Sequence, residues 1–146
     1  MKTIGRHLIA EYYACDTALL DDVRRLRNAM LEAARLVGAT VLGHTFRKFQ
    51  PQGVSGTVVI SESHLSIHTW PDYRYVAVDI FTCGGLDPRP GFLHLAEVLG
   101  ASQSRVQEIV RGLPEHVREP ATLLPEDVQV MSDTRPLIEL RSRTPV

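Results

Sequence analysis

The sequence predicts an α+β fold, a two-layer α/β sandwich in which a mostly antiparallel sheet carries helices on one face. Strand-like and helical patterns follow one another in the order strand, helix, several strands, helix, strand, which is typical of this architecture. The chain has 146 residues, of which 44% are hydrophobic and 23% charged, as expected for one globular domain. Because no apolar run approaches the roughly 18–20 residues of a membrane helix, we expect no membrane partner.

The first strand and the first helix have the clearest patterns. Apolar residues alternate over residues 5–13, which predicts a strand. Apolar residues then recur at helical spacing over residues 19–37, up to Gly38, and glycine commonly follows the last turn of a helix. Asp16 or Thr17 is the expected N-cap of this helix.

Several shorter elements follow, separated by turn residues. Strand-like patterns cover residues 40–49, 57–61, 65–70 and 75–81, with a glycine- and proline-containing loop at 51–56. Asp87 and Pro88 are expected as the N-cap and first residue of a second helix, which ends near Gly100. The last predicted strand covers residues 105–110.

The predicted sheet leaves one face without helices. Its strands between residues 40 and 81 are apolar on both faces, so we expect the second face to be buried against a partner. The simplest partner is a second copy of the chain, packed sheet to sheet. The sequence therefore predicts a homodimer.

A change in composition divides the chain. Residues 1–112 read as a single domain, whereas residues 113–146 contain five of the nine prolines and read as an extended C-terminal tail with little regular structure. Lys and Arg sum to 16 against 17 Asp and Glu, so the chain lacks the positive charge of a nucleic-acid-binding protein. Since the N-terminus has no signal-peptide pattern, we expect a cytoplasmic protein.

Reactive residue types are concentrated between residues 55 and 83. His64 and His68 share a face, but no HExxH or CxxC pattern supplies further zinc ligands, so we expect no metal. Cys83 precedes two glycines at a strand end, where it is either a cleft residue or a small buried thiol. A nucleophilic Cys83–His68 pair also stays open, although Cys83 begins no helix that would lower its pKa.

Read together, these residues closely resemble the bacterial and archaeal S-adenosylmethionine decarboxylase proenzymes, a pyruvoyl-dependent family. The resemblance covers roughly residues 3 to 111 and is strongest over residues 53–84. It is carried by Gly5-Arg6-His7-Leu8, by Phe46, Phe49 and Pro51, by Ser61-Glu62-Ser63-His64-Leu65-Ser66-Ile67-His68-Thr69-Trp70-Pro71, and by Val78-Asp79-Ile80-Phe81-Thr82-Cys83-Gly84. Motifs of this length and spacing are highly specific. The family's protomer is a two-layer α/β unit that dimerises by sheet packing.

The resemblance implies a cofactor made by the chain itself. Amino-acid decarboxylation needs an electron sink, and the two lysines, Lys2 and Lys48, lack the surroundings of a pyridoxal phosphate site. In the family the Ser63 hydroxyl attacks the carbonyl carbon of Glu62, which converts the amide to an ester. β-Elimination then cuts the chain, and the dehydroalanine left at residue 63 hydrolyses to a pyruvoyl group with loss of ammonia. The products are a β chain, residues 1–62, and an α chain, residues 63–146.

The resemblance also implies a role for individual residues. Ser63 is the pyruvoyl precursor that forms the Schiff base with substrate, His68 the processing base and Cys83 the proton donor to the substrate carbanion. Ser55 assists processing together with Glu62 and Ser63. The substrate-binding residues are Phe49 and Trp70, whose rings suit the adenine and the sulfonium, and Asp72, where the family most often has Glu.

The function implied is decarboxylation of S-adenosylmethionine, which supplies the aminopropyl donor for spermidine synthesis. The same pyruvoyl chemistry on arginine or ornithine is an alternative, and so is an inactive paralogue that acts as a binding or activating subunit. We expect a homodimer of αβ protomers whose active sites take Ser63, His68 and Cys83 from one protomer, and Phe49, Trp70 and Asp72 from the other.

Overall fold

The computed structural model of this chain, which describes residues 4–119 and 138–139, is built on an antiparallel sheet. Its strands are β1 (Gly5–Tyr13), β2 (Thr40–Lys48), β3 (Val54–Ser61), β4 (Ser63–Trp70), β5 (Tyr75–Cys83), β6 (Gln103–Arg111) and β7 (Ile138–Glu139). Its helices are α1 (Val23–Val37), α2 (Arg89–Val98) and α3 (Pro114–Arg118), with 3-10 helices at Leu19–Asp21 and Pro71–Tyr73.

The strands lie in the order β2-β3-β4-β5-β1-β6-β7, and every neighbouring pair is antiparallel. Strands β2 to β5 form a meander, and β1 lies between β5 and β6. The predicted fold class, an α+β sandwich of a mostly antiparallel sheet with helices on one face, is confirmed. Strand β4 therefore has a strand on each side, which fixes where its side chains lie.

The core lies between the sheet and helices α1 and α2. Since successive side chains of a strand point to opposite faces, every second residue of β1, β3, β4 and β5 reaches this layer. Its largest fully buried side chains include Tyr12, Leu26, Met30, Leu65, Ile67, Ile80 and Leu95. The buried Tyr12 hydroxyl donates to the carbonyl oxygen of Phe92 at 2.7 Å, so α2 is joined to β1 by a hydrogen bond as well as by packing.

The ends of α1 confirm one predicted cap and correct the other. Gly38 has a φ of 87° after the last turn, as predicted. The N-cap is Asp22, whose carboxylate accepts from the Arg25 amide at 3.1 Å, so the expectation of Asp16 or Thr17 was wrong. The 3-10 helix Leu19–Asp21 intervenes, and it buries Leu19 and Leu20 at the spacing that a longer helix would also give.

The start of α2 shifts by one position. Pro88 lies at the N-cap and Arg89 begins the helix, whereas the sequence predicted Asp87 and Pro88 for these two places. The Asp87 carboxylate still accepts from a backbone amide, that of Arg89 at 3.0 Å, so it supports the helix start from one residue further out.

The second face of the sheet, called the open face below, carries no helix in the described part of the chain. It is more polar than expected. The Asp79 carboxylate lies 3.0 Å from His7 Nε2 and accepts from Ser66 Oγ at 3.0 Å, so three strands share one polar cluster. Ile9 and Val59, exposed at 39% and 46%, are two apolar residues of the same face.

The predicted C-terminal tail begins with regular structure. Helix α3 lies within residues 113–146, and β7 pairs with the start of β6 through Gln103–Glu139 and Ser104–Ile138. The rest of the predicted tail, residues 120–137 and 140–146, lies outside the described residues. The boundary at residue 112 stays a prediction.

Candidate active site

A hollow of about 200 Å³, called the aromatic hollow below, lies where β3 begins and β4 ends. Five of its residues are among those that the sequence predicts for the site, namely Phe49, Ser55, His68, Trp70 and Asp72. The remaining lining residues are Gln52, Gly53, Thr69 and Pro71. Strand register explains the grouping, because Ser55 pairs with His68 across β3 and β4.

Ser55 and His68, which both line the hollow, form a hydrogen-bonded pair. Ser55 Oγ lies 2.8 Å from His68 Nδ1. Where Nδ1 carries the proton and donates it to the hydroxyl oxygen, the lone pair of Nε2 is free to accept a proton from another group. This pairing suits a histidine that acts as a base.

Trp70 is supported by two tyrosines and a carboxylate. Its ring stacks on that of Tyr75 at 5.2 Å, and Tyr75 in turn stacks on Tyr13 at 5.5 Å. Both tyrosine hydroxyls donate to Glu11, each at 2.9 Å. Burial and the Glu11 carboxylate raise the pKa of Tyr75 well above its usual value, so its hydroxyl stays a donor.

The residues behind Trp70 were not predicted from the sequence. Glu11, Tyr13 and Tyr75 lie on two strands that are far apart in the chain, and they meet only because β1 pairs with β5. The available signal was their alternate spacing on the predicted strands, but that signal does not reveal which strands are neighbours.

Ser63 lies at the opposite end of β4, directly after the turn from β3. Its φ of 143° is one that L residues rarely adopt, at a typical cost of about 1–3 kcal/mol. Its Oγ is buried and has no hydrogen-bond partner among the described residues. A strained residue with an unsatisfied hydroxyl favours a reaction at this position over a structural role.

Cys83 lies at the same end of the sheet as Ser63. Because β4 and β5 pair His64 with Phe81, Ser63 lies next to Thr82 and Cys83. Cys83 is partly buried and precedes a turn at Gly84, where φ is 66°.

The turn after Cys83 is fixed by a hydrogen bond and flanked by aromatic rings. The buried Thr82 hydroxyl donates to the Leu86 carbonyl oxygen at 3.1 Å, which ties the turn to the chain beyond it. His7 stacks on Phe81 at 5.1 Å, and the Arg111 guanidinium lies 4.6 Å from the centre of the same ring. The thiol therefore lies on a well-packed part of the sheet.

The predicted site residues form two groups that lie apart. His68 is five residues beyond Ser63 on β4, a separation of about 16 Å along the strand. One group is Ser63 with Cys83, and the other is the hollow with Ser55 and His68. This differs from the expected arrangement of Ser63, His68 and Cys83 together in one protomer, because a strand holds its residues at a fixed rise. The same separation rules out a Cys83–His68 pair within one chain.

No group of three or more His, Cys, Asp and Glu in the described residues is placed to hold a metal ion. His64 packs edge-on against Phe81, whereas His68 pairs with Ser55, so the two histidines have different neighbours. Within residues 4–119 and 138–139, no helix has the length and apolar character needed to cross a membrane.

Comparison with known sequences gives one consistent result. The family model described as S-adenosylmethionine decarboxylase matches residues 6–112. The S-adenosylmethionine decarboxylase proenzyme of Thermosipho africanus is 50% identical over 121 residues, which cover 82% of this chain and 93% of that protein. The proenzyme of Acidithiobacillus ferrooxidans is 45% identical over 122 residues, 83% of this chain and 92% of the other.

Solved structures give the same result for the fold. The crystal structure of the adenosylmethionine decarboxylase from Aquifex aeolicus is similar with a TM-score of 0.73 and 30% identity, over 84% of this chain and 100% of that one. A Trypanosoma brucei AdoMetDC monomer is similar with a TM-score of 0.53 and 14% identity, over 69% of this chain and 44% of that one, and supports the fold alone.

Proposed function

This chain belongs to the family of S-adenosylmethionine decarboxylase proenzymes, and we propose that it releases CO₂ from S-adenosylmethionine by means of a pyruvoyl group made from its own Ser63. The observation that carries the proposal is the match itself, since relatives that are half identical over 93% of their length are named as such proenzymes. The product is the aminopropyl donor for spermidine synthesis. No observation favours arginine or ornithine as substrate, or an inactive subunit.

Self-cleavage between Glu62 and Ser63 is supported by the conformation of the turn. The Ser63 hydroxyl is buried and makes no hydrogen bond in the described part of the chain, so its lone pairs are available to attack the carbonyl carbon of Glu62. After the resulting ester forms, removal of the Ser63 Cα proton breaks the Cβ–O bond and releases the Glu62 carboxylate. A free imidazole nitrogen such as Nε2 of His68 suits that proton.

The residues around Ser63 fit a pyruvoyl group at that position. The group supplies, once formed, a carbonyl that draws away the electrons left when CO₂ departs. Cys83 lies on the adjacent strand at the same end of the sheet, which supports a role for its thiol in returning a proton to the substrate's α carbon. The stacked rings of His7 and Phe81 border this end of the sheet.

The aromatic hollow suits the adenosyl part of the substrate. Phe49 and Trp70 are 44% and 41% exposed, which leaves their rings available for stacking on adenine and for contact with the sulfonium. Asp72, on the 3-10 helix Pro71–Tyr73, provides carboxylate oxygens that can accept hydrogen bonds from ribose hydroxyls.

A homodimer with shared active sites would bring the two groups of residues together in one site. In one chain the hollow is about 16 Å from Ser63, too far for both to hold one substrate. Two copies packed through their open faces about a two-fold axis would place the hollow of each against the Ser63 end of the other. His68 would then act on the Ser63 of the other protomer.

Self-cleavage is tested by the mass of the denatured protein. We expect two chains divided between Glu62 and Ser63, with the larger resistant to Edman degradation because it lacks an α-amino group. Ser63→Ala is the matched control and should remain one chain. A wild-type protein that stays intact after long incubation would contradict both the pyruvoyl cofactor and the proposed mechanism.

The substrate is tested by CO₂ release from carboxyl-labelled S-adenosylmethionine, arginine and ornithine. Release from S-adenosylmethionine alone is expected, because only that substrate has an adenosyl group for the hollow. Release from arginine or ornithine, or from none of the three by a fully processed protein, would contradict the proposal.

A further inference from the structure

We propose that Asp21, which lies outside the aromatic hollow, is a positioning residue that fixes the Phe49 wall and thereby sets the affinity for the adenosyl substrate. The inference rests on the proposed function, since it concerns the substrate bound in that hollow. It depends on the contacts of one short loop, residues 49–52, and of the 3-10 helix behind it.

The Asp21 carboxylate contacts both ends of the loop. Its Oδ1 accepts from the Gly53 amide at 2.9 Å, and its Oδ2 lies 3.2 Å from Lys48 Nζ. Between these two points, the Phe49 amide donates to the Gly53 carbonyl oxygen at 2.8 Å and closes the loop. The Asp21 side chain therefore fixes Lys48, the residue before Phe49, and Gly53, the residue before β3.

Gly53 is suited to this contact in a way that other residues are not. Its φ is 103°, and a Cβ atom at this position would lie 3.1 Å from the Thr69 carbonyl oxygen. The backbone conformation that glycine permits allows the amide to donate to the carboxylate. The hydrogen bond from Gly53 and the nearby Lys48 hold the pKa of Asp21 below its usual value, so the carboxylate is charged at neutral pH.

The same 3-10 helix, Leu19–Asp21, also contacts the opposite wall of the hollow. The Leu20 carbonyl oxygen accepts from Thr69 Oγ1 at 2.6 Å, and that hydroxyl oxygen accepts from the Val54 amide at 2.9 Å. Thr69 lies between His68 and Trp70 on β4, while Leu20 is fully buried in the core. The helix thus connects the Phe49 wall and the Trp70 wall through hydrogen bonds.

The test is the affinity of Asp21→Ala for substrate. We expect complete self-cleavage, a kcat within about twofold of wild type, and a KM raised about tenfold, the order of one charge-assisted hydrogen bond. Trp70 is the single tryptophan of the chain, so quenching of its fluorescence by methylthioadenosine, a non-reacting thioether of the same nucleoside, measures binding directly. The Kd for that probe should rise by a similar factor.

Asp21→Asn distinguishes positioning from a general effect of charge. Its amide oxygen can still accept from the Gly53 amide, whereas the ion pair with Lys48 is lost. We expect most of the wild-type KM to return, because the loop end stays fixed. An Asp21→Asn protein as impaired as Asp21→Ala would assign the effect to the Lys48 ion pair and overturn the role given to the Gly53 contact.

Asp22→Ala is the matched control. Asp22 is the adjacent residue and also accepts from a backbone amide, but it caps helix α1 through Arg25. The Asp22→Ala substitution should lower the melting temperature of the protein and leave its KM for S-adenosylmethionine unchanged. Two results would overturn the proposal: an unchanged KM in Asp21→Ala, or an equal rise in Asp22→Ala. A wild-type protein without decarboxylase activity would instead refute the proposed function, which separates the two failures.

Discussion

At the scale of single residues, the two cysteines show how position decides chemistry. Cys15 is fully buried, and burial raises the pKa of its thiol to about 12, so it stays protonated and inert at neutral pH. Cys83 lies at a strand end beside the Ser63 turn and is partly accessible. The sequence alone left Cys83 undecided between a cleft residue and a structural thiol.

The first prediction follows from that contrast. Cys83→Ala should still cut itself, because the attack on Glu62 does not use the thiol. Its turnover should fall by about 10²–10⁴-fold, the usual contribution of a placed general acid. The measurement is CO₂ release per cleaved chain. Cys15→Ala is the control, which should lower stability and leave turnover unchanged. Undiminished turnover in Cys83→Ala would contradict the catalytic role and leave the Cys83 thiol a structural one.

A second prediction concerns the support of Trp70. Tyr75→Phe keeps the ring that stacks on Trp70 but loses the hydrogen bond to Glu11. We expect complete self-cleavage and a KM raised about two- to fivefold, the effect of one hydrogen bond of about 0.5–1 kcal/mol. Tyr73→Phe is the matched control, since Tyr73 is 75% exposed, and it should behave as wild type. Equal effects of the two substitutions would contradict the role given to Tyr75.

Some candidate site residues can be predicted from the sequence, whereas others become evident only in the folded structure. Ser63, His68 and Cys83 lie within one contiguous motif-rich segment, so their types and spacing were readable from the chain. The roles of Asp21 and Glu11 could not be predicted from the sequence, because they depend on contacts with distant residues, Gly53 for Asp21 and Tyr75 for Glu11. Such contacts depend on strand order and loop geometry, which a local pattern does not encode.

At the scale of elements, alternation and helical spacing predicted most of the fold because they report which face of an element is buried. Strand β1 and helix α1 were read on this basis, and the C-terminal end of α1 was placed correctly at Gly38. The 3-10 helix Leu19–Asp21 was missed because Leu19 and Leu20 also fit the spacing of α1. Burial patterns do not distinguish one tight turn from the start of a longer helix.

The third prediction belongs to the connection between β5 and α2. The Arg89 guanidinium and amide, with a smaller effect of Arg6, lower the pKa of Asp87 to about 2. A carboxylate with a lowered pKa stabilises the fold above its usual pKa of about 4, and that contribution is lost as the pH falls toward 2. Asp87→Asn should therefore lower the melting temperature at pH 6 and make progressively less difference as the pH falls below 4.

The comparison that tests this is a melting series of wild type and Asp87→Asn from pH 6 to pH 2.5. Glu32→Gln is a useful control, because its carboxylate pairs with Arg35 on the exposed surface of α1 and holds no connection in place. It should show a smaller difference throughout, as exposed pairs contribute little. A constant gap between wild type and Asp87→Asn at every pH would contradict the prediction.

At the scale of the whole molecule, the proposed dimer would bring together the two groups of site residues that one chain keeps apart. The sequence suggested a partner because the strands looked apolar on both faces, yet the open face contains a polar cluster around Asp79. Such a surface would favour a partner that matches its polar groups as well as its apolar ones, and a second copy related by a two-fold axis is self-complementary by symmetry. The proposed shared site would give a functional reason for the same assembly.

The last prediction is that activity returns when two damaged chains share a dimer. Cys83→Ala damages the Ser63 end and Trp70→Ala damages the aromatic hollow, and both variants should process and be weak as homodimers. In a heterodimer carrying one chain of each, shared sites leave one site with both ends intact, so about half of the wild-type activity is expected. If each chain formed its own site, both sites would be damaged and no activity would return.

Co-expression with two different tags isolates the heterodimer. The control pairs Cys83→Ala with Ser63→Ala and should recover no activity, since both changes fall at the same end of the chain's sheet. A monomer in light scattering, or a heterodimer no more active than its better parent, would end the model of shared sites.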